Sequence, residues 1–280
     1  MQELHDLQLE PIIQRALEED WGNGDWTTDL CVRKGTYSEA QIIAKKATLL
    51  SGLEVAKAVF HKVDPQLQVV SYQSNGSLLD PSSLIMEIKG EARSILKAER
   101  VALNFLGRMC GISYTTHHYV QKLKGFKTQL LDTRKTTPGL RILEKVATSV
   151  GGARNHRLCL TDGVLVKENH IRAAGSITKA VNSLLESLPP TLKIEVETTN
   201  LEEVQEAIDA GADLVMLDNM SIPEMALAVR TVRGRVLLEA SGNITLANIA
   251  EVAATGVDFV SSSAIVHSAP WADLSLLFKV

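Results

Sequence analysis

Apolar positions along the chain fall into two regimes that meet near residue 115. Residues 1–115 mix their periods. A helical stretch from Pro11 to Glu19 runs into a Gly/Asn/Asp turn at Trp21–Asp25. Ala40–Leu50 and Leu67–Tyr72 read as extended, Ser74-Asn75-Gly76-Ser77 as a turn, and Ser83–Lys89 alternates weakly. From Ile95 onward, Leu96, Val101, Leu103, Phe105, Leu106 and Met109 supply the apolar stripe of a long helix. Gly111 is expected to interrupt it, with a second helix running to Leu123.

Beyond residue 126 the pattern becomes regular. Short runs rich in Val, Leu and Ile recur at Thr128–Leu131, Val164–Val166, Lys193–Val196, Leu214–Leu217, Arg235–Leu238 and Val257–Val260. Amphipathic stretches lie between them: Pro138–Val150, Ser176–Glu186, Leu201–Ala210, Pro223–Val232 and Thr245–Ala254. Gly211, Gly234 and Gly256 stand where helices should end, the place that favours a residue able to take positive φ. Strand and helix in alternation predict parallel strands with crossover helices, and nearly continuous apolar strands predict burial on both faces. No sequence repeat accompanies the period. The six clear strands are fewer than the eight of a complete barrel, so an incomplete α/β barrel is expected. The barrel domain is placed at residues 116–266, after the mixed region of residues 1–115.

Polar residues sharpen this picture because nearly every strand runs into one at its C-terminal end. These ends carry Asp132-Thr133-Arg134-Lys135, Lys167, Glu197, Asp218-Asn219, Glu239-Ala240-Ser241-Gly242-Asn243 and Ser261-Ser262-Ser263. In a parallel barrel such ends converge on one mouth, where active sites lie. Charged groups there are costly unless partnered or functional. Arg134, Lys135, Arg157 and Lys167 sit at strand ends or in the intervening loop and suit carboxylate or phosphate. Arg141, Lys145 and Arg172 read as solvated helix charges. Glu197 and Asp218, ending adjacent strands, suit a metal, ribose hydroxyls or a developing cation, and charge compensation for Lys167 and Arg134 stays open beside these. Ser241-Gly242-Asn243 and Ser261–Ala264 expose backbone N–H groups suited to phosphate. His156 and His267 are candidate site members and His170 a possible support for Lys167, whereas His5, His61, His117 and His118 lie away from the mouth.

Composition narrows the class of protein. The net charge is −4, which gives no global basic field of the kind that drives nucleic-acid binding. No apolar run approaches the roughly 20 residues of a membrane span. The acidic start, MQELHDLQLEP, lacks a signal core, so a cytoplasmic location is expected. Cys31, Cys110 and Cys159 are odd in number and show no ligand spacing, which predicts free thiols. HExxH, GxSxG, GKS/T and GxGxxG are absent. A Schiff-base aldolase built on Lys167 and a non-catalytic anion-binding protein remain as other readings of these residues.

Eight stretches carry a family resemblance. They are LEEDWGNGDWTTDL (Leu17–Leu30), AERVALNFLGRMCG (Ala98–Gly111), LDTRKTTPGLR (Leu131–Arg141), GGARNHRLCLTDGVLVKENH (Gly151–His170), IEVET (Ile194–Thr198), VMLDNM (Val215–Met220), LEASGNI (Leu238–Ile244) and GVDFVSSSAIVHS (Gly256–Ser268). Together they resemble the quinolinate phosphoribosyltransferases, also called carboxylating nicotinate-nucleotide pyrophosphorylases. A paralogous group associated with molybdenum transport shares many of these motifs. The resemblance implies transfer of phosphoribose from phosphoribosyl pyrophosphate to quinolinate with Mg²⁺, giving nicotinate mononucleotide, CO₂ and pyrophosphate in NAD biosynthesis. It implies an N-terminal α/β sandwich domain over residues 1–115, joined by the tail, residues 267–280, and a homodimer, or a hexamer built from dimers. By the same resemblance Arg134, His156, Arg157 and Lys167 bind the dicarboxylate, and Arg100 reaches it from the partner subunit. Lys135, with Thr133 beside it, lies near the pyrophosphate, and Glu197 and Asp218 hold metal and ribose. Ser241, Gly242 and Asn243 form the phosphate loop, with Ser262, Ser263, Ala264 and His267 nearby. The family usually has glycine where Ala153, Asn243 and Ser263 stand, so a loop needing positive φ would be strained at those positions.

Overall fold

The computed structural model describes residues 6–279, so His5 and Val280 lie outside the described residues. By internal packing the chain divides into two compact units. One comprises residues 1–117, 137–151 and 269–280; the other comprises residues 118–136 and 152–268.

The first unit is built on an antiparallel sheet of β1 (Tyr37–Ala44), β3 (Gln68–Ser71), β5 (Leu84–Glu91) and β12 (Leu274–Phe278), in the order β12-β1-β5-β3. A small hairpin of β2 (Thr48–Leu49) and β4 (Leu78–Leu79) lies in the same unit. Its helices are α1 (Asp6–Trp21), α2 (Trp26–Cys31), α3 (Leu53–Val63), most of α4 (Ala92–Lys122) and α5 (Arg141–Val150). Strand β12 pairs with β1 from Ala40↔Phe278 to Ala44↔Leu274, so the far end of the chain completes the first sheet. The apolar side of that sheet includes Ala40, Ile42, Met86 and Ile88, all fully buried. Each large side chain so buried contributes about 1.5–3 kcal/mol.

Gly111 does not break α4, which runs unbroken through it. Its role is close approach. A Cβ at Gly111 would stand 1.9 Å from the Pro270 carbonyl oxygen, and one at Gly107, a turn earlier, 3.2 Å from that of Ala272. The backbone of residues 270–272 crosses the helix over these two glycines, and Ala272 N–H donates to the Gly107 carbonyl. Helix α5 is held in this unit by a half-buried ion pair, with Arg108 Nη2 donating to Glu144 Oε1 at 2.7 Å.

The second unit is an incomplete α/β barrel. Its strands are β6 (Gln129–Leu131), β7 (Val164–Val166), β8 (Ile194–Thr198), β9 (Leu214–Asp218), β10 (Leu237–Ser241) and β11 (Phe259–Ser261). All pairings are parallel, in the order β6-β11-β10-β9-β8-β7. This is the cyclic order of a barrel with the seam open between β6 and β7, where a single parallel bridge joins Leu131 and Arg154. Helices α6 (Glu168–Ala174), α7 (Ile177–Ser187), α8 (Leu201–Ala210), α9 (Ile222–Val232), α10 (Ile249–Ala254) and α11 (Ala264–His267) follow the strands. Val196, Val215, Leu217, Ala240 and Val260 are fully buried, as strands covered on both faces require.

Local signals explain the helix boundaries. Asn200 caps α8 by accepting from Glu203 N–H, and Gly211 ends it at φ 99°. A reciprocal Ser221/Glu224 box opens α9. Helix α6 has no buried residue and no apolar stripe, which is why periodicity gives no sign of it.

Candidate active site

A cleft of about 940 Å³ opens in the second unit at the C-terminal ends of the barrel strands. All of the candidate residues read from the sequence line it except Arg100. Thr133, Arg134 and Lys135 follow β6, and His156 and Arg157 lie in the loop before β7. Lys167 ends β7 and caps α6, Glu197 belongs to β8, and Asp218 ends β9. Ser241, Gly242 and Asn243 close β10. Ser262, Ser263, Ala264 and His267 follow or belong to the turn from β11 into α11. Arg100 is exposed on α4, within the first unit.

One end of the cleft is cationic. Arg157 donates through Nη1 to the Gly163 carbonyl at 2.9 Å. Burial, and then the neighbouring positive charge of Arg134, pull the Arg157 pKa below the ordinary arginine range. Arg134 Nε is buried with no hydrogen-bond partner among the described residues. Two guanidiniums that repel one another, one with an unused donor, form a place for an anion. Lys167 Nζ bonds Glu197 Oε2 at 2.6 Å. Lys167 is half exposed and ion-paired, not set in the desolvating apolar pocket that favours a Schiff-base lysine.

The opposite side carries carboxylates and a tight loop. Burial, and then the Glu197 charge, raise the Asp218 pKa above the usual carboxylate range, and Asp218 accepts from Asn219 Nδ2 at 2.9 Å. Gly242 has φ 90°, and a Cβ there would fall 2.2 Å from Asn219 Oδ1. Asn219 and Asn243 both sit at φ 54° and bond one another through Asn243 Nδ2 at 3.0 Å. Of the three positions usually glycine in the family, only Asn243 adopts positive φ, which asparagine tolerates well. Ser263 stands at φ −78°, so its side chain brings no backbone strain.

Of two acids beneath the cleft, Glu239 is among the strand-end residues of the sequence but not among its site candidates, and Glu195 lies outside the strand-end set. Glu195 and Glu239 are 5% and 0% exposed, and Glu239 lines the cleft floor. Each stands two residues before a strand-end site residue, Glu197 or Ser241. The two-residue period of a strand puts such pairs on one face, so that spacing could have found them. Asn219 and Thr245 also line the cleft.

A cationic cleft at the mouth of an α/β barrel, flanked by carboxylates and a glycine-bearing turn, defines a barrel enzyme for a polyanionic substrate. The chain matches the description "Quinolinate phosphoribosyl transferase, N-terminal domain" over residues 25–110 and the C-terminal domain of the same family over residues 112–277. It is 47% identical over 271 residues to a probable carboxylating nicotinate-nucleotide pyrophosphorylase of Synechocystis sp., covering 96% of this chain and 92% of that one. It is 37% identical over 287 residues to the mitochondrial decarboxylating quinolinate phosphoribosyltransferase 2b of Nicotiana tabacum, covering 96% and 81%. The solved structure of the nicotinate-nucleotide pyrophosphorylase of Francisella tularensis superposes with a TM-score of 0.94 at 40% identity, covering 99% of this chain and 98% of that one. The chain belongs to the quinolinate phosphoribosyltransferase family.

Proposed function

We propose that this chain joins quinolinate to phosphoribosyl pyrophosphate, releasing pyrophosphate and CO₂ and forming nicotinate mononucleotide in NAD biosynthesis. The observation that carries this reading is one cleft with an unsatisfied guanidinium donor at one end and carboxylates beside a glycine-bearing turn at the other. Arg134, Arg157 and Lys167 take the two carboxylates of quinolinate and fix the ring nitrogen toward C1′ of the ribose. Lys135, with Thr133, meets the pyrophosphate. Gly242, Asn243 and the Ser262–Ala264 turn offer backbone donors to the 5′-phosphate, with Ser241 and His267 beside them.

As the bond to pyrophosphate breaks, C1′ gains oxocarbenium character that the Glu197 carboxylate stabilises. The ring nitrogen attacks with its own lone pair, so no general base is needed. Once ribosylated, the cationic ring stabilises the carbanion left at its carbon when CO₂ leaves, and that carbon then takes a proton from water to give the product. Glu197 and Asp218 offer hard oxygen donors whose mutual repulsion a divalent cation would relieve, a fit for Mg²⁺. When bound, Mg²⁺ neutralises charge on the pyrophosphate.

Purified protein given quinolinate, phosphoribosyl pyrophosphate and Mg²⁺ should release CO₂ and nicotinate mononucleotide in equal amounts. No release from folded protein would refute the reading. The proposed assembly is a homodimer, or a hexamer of such dimers, in which Arg100 serves a second copy's cleft. Its exposure on α4 supports this. Arg100→Ala and Lys167→Ala proteins should each be inactive, and their mixture should recover activity because some dimers then hold one intact site. A cytoplasmic location is supported by three free cysteines and by the described helices, none of which is long and apolar enough to cross a membrane.

A further inference from the structure

His156 is engaged at both ring nitrogens. The Arg157 backbone N–H donates to its Nδ1 at 2.8 Å. An amide N–H can only donate, so Nδ1 carries no proton and the ring's proton sits on Nε2. Nε2 faces Glu195 Oε2 at 3.0 Å and Glu239 Oε2 at 3.8 Å. The backbone of His156 is fixed too, its N–H donating to the buried Asp132 carboxylate at 2.8 Å. Glu195 Oε1 and both Glu239 oxygens are buried and without a hydrogen-bond partner among the described residues.

We propose that Glu195 and Glu239 are positioning residues for the dicarboxylate end of the cleft. They hold the His156 ring with its proton on Nε2, and through Nδ1 the ring holds the backbone of Arg157, whose side chain meets the substrate. This rests on the function proposed above, and it gives His156 a role through Arg157 in addition to any contact with the ligand.

One observation favours it over a metal site built from the same atoms. The ligand atoms of His156, Glu195 and Glu239 lie within 4.8 Å of one another, close enough to hold a metal. A metal on Nε2 would require the proton on Nδ1, and Nδ1 already accepts from an N–H. The Nε2–H meets Glu195 at 3.0 Å, with Glu239 next at 3.8 Å.

Nitrogen-15 NMR of histidine-labelled protein, assigned with His156→Gln, reads the tautomer without substrate. The Nε2–H form is expected, and an Nδ1–H or metal-bound ring overturns the proposal. Calorimetric titration with quinolinate then tests the consequence. Glu195→Ala should weaken binding about tenfold or more, with the affinity for phosphoribosyl pyrophosphate changed less than about threefold. Glu195→Gln, which keeps an acceptor for Nε2–H, should regain most of the loss. Unaltered quinolinate affinity in folded Glu195→Ala also overturns it. If the natural protein bound no quinolinate, the function reading would fail, while the tautomer measurement would still decide the arrangement of His156.

Discussion

Arg134 shows how a binding site trades stability for function. Its buried Nε lacks a partner among the described residues, beside a second guanidinium. A buried donor left unpaired costs roughly 1–3 kcal/mol. Arg134→Met keeps much of the side-chain volume and removes that donor. The variant should unfold at the same or a higher temperature by calorimetry, while its KM for quinolinate rises by about a hundredfold or more. A variant that loses both stability and affinity would mean that Arg134 holds the fold together rather than waiting for a ligand. At this scale the sequence was most readable where a residue ended a strand. Lys167, Glu197, Asp218 and Glu239 announced themselves by interrupting apolar runs, whereas Glu195 sat one pleat deeper, where a single acid in an apolar strand gives little sign of its partners. The pairing of Asn219 with Asn243 was equally hidden, because it joins two loops 24 residues apart.

Elements were readable where one physical cause acted and misread where two competed. The repeated strands and helices of the second half follow from apolar period alone, and Gly211 marks its helix end by taking positive φ. Gly111 was misread because glycine has two uses. Helix propensity alone favours alanine there by about 1 kcal/mol. The Pro270 carbonyl, 1.9 Å from where the Cβ would be, decides the other way. Because that neighbour is backbone, it cannot rotate aside, and overpacking of this kind costs roughly 1–3 kcal/mol or more. Urea unfolding of Gly111→Ala should therefore show a net loss of about 2 kcal/mol, and a stabilised protein would mean that the 270–272 segment moves freely. Helix α5 is a related case. Its apolar stripe suits either unit, and what draws it into the first is the Arg108–Glu144 pair between residues 36 apart.

For the molecule as a whole, acid should act first through the sheet of the first unit. Glu87 is buried in β5 between Lys279 and Lys89. Hydrogen bonds from Lys279 first, and then from Lys89, hold its pKa down to about 2. An ordinary glutamate titrates near about 4.3. The stabilisation is thus fully present above that value and is lost as pH falls through the interval down to about 2. Thermal unfolding followed against pH should show the natural protein exceeding Glu87→Gln at neutral pH, with the two converging in strong acid. A constant difference across that range would show that the carboxylate charge is not what matters. This coupling could not be read from one sequence, since it joins residues 192 positions apart.

The pairing of β12 with β1 also sets an order of events during synthesis. Strand β1 emerges early and finds β5 about fifty residues later, but its other edge has no partner until residues 274–278 have been translated. For most of the time the protein is being made, an open β edge that includes Ile42 is available to whatever else is nearby. Among the barrel strands β6 waits likewise, since its strand partner β11 ends at residue 261. The nascent chain is therefore expected to be most dependent on chaperones before these late strands are made.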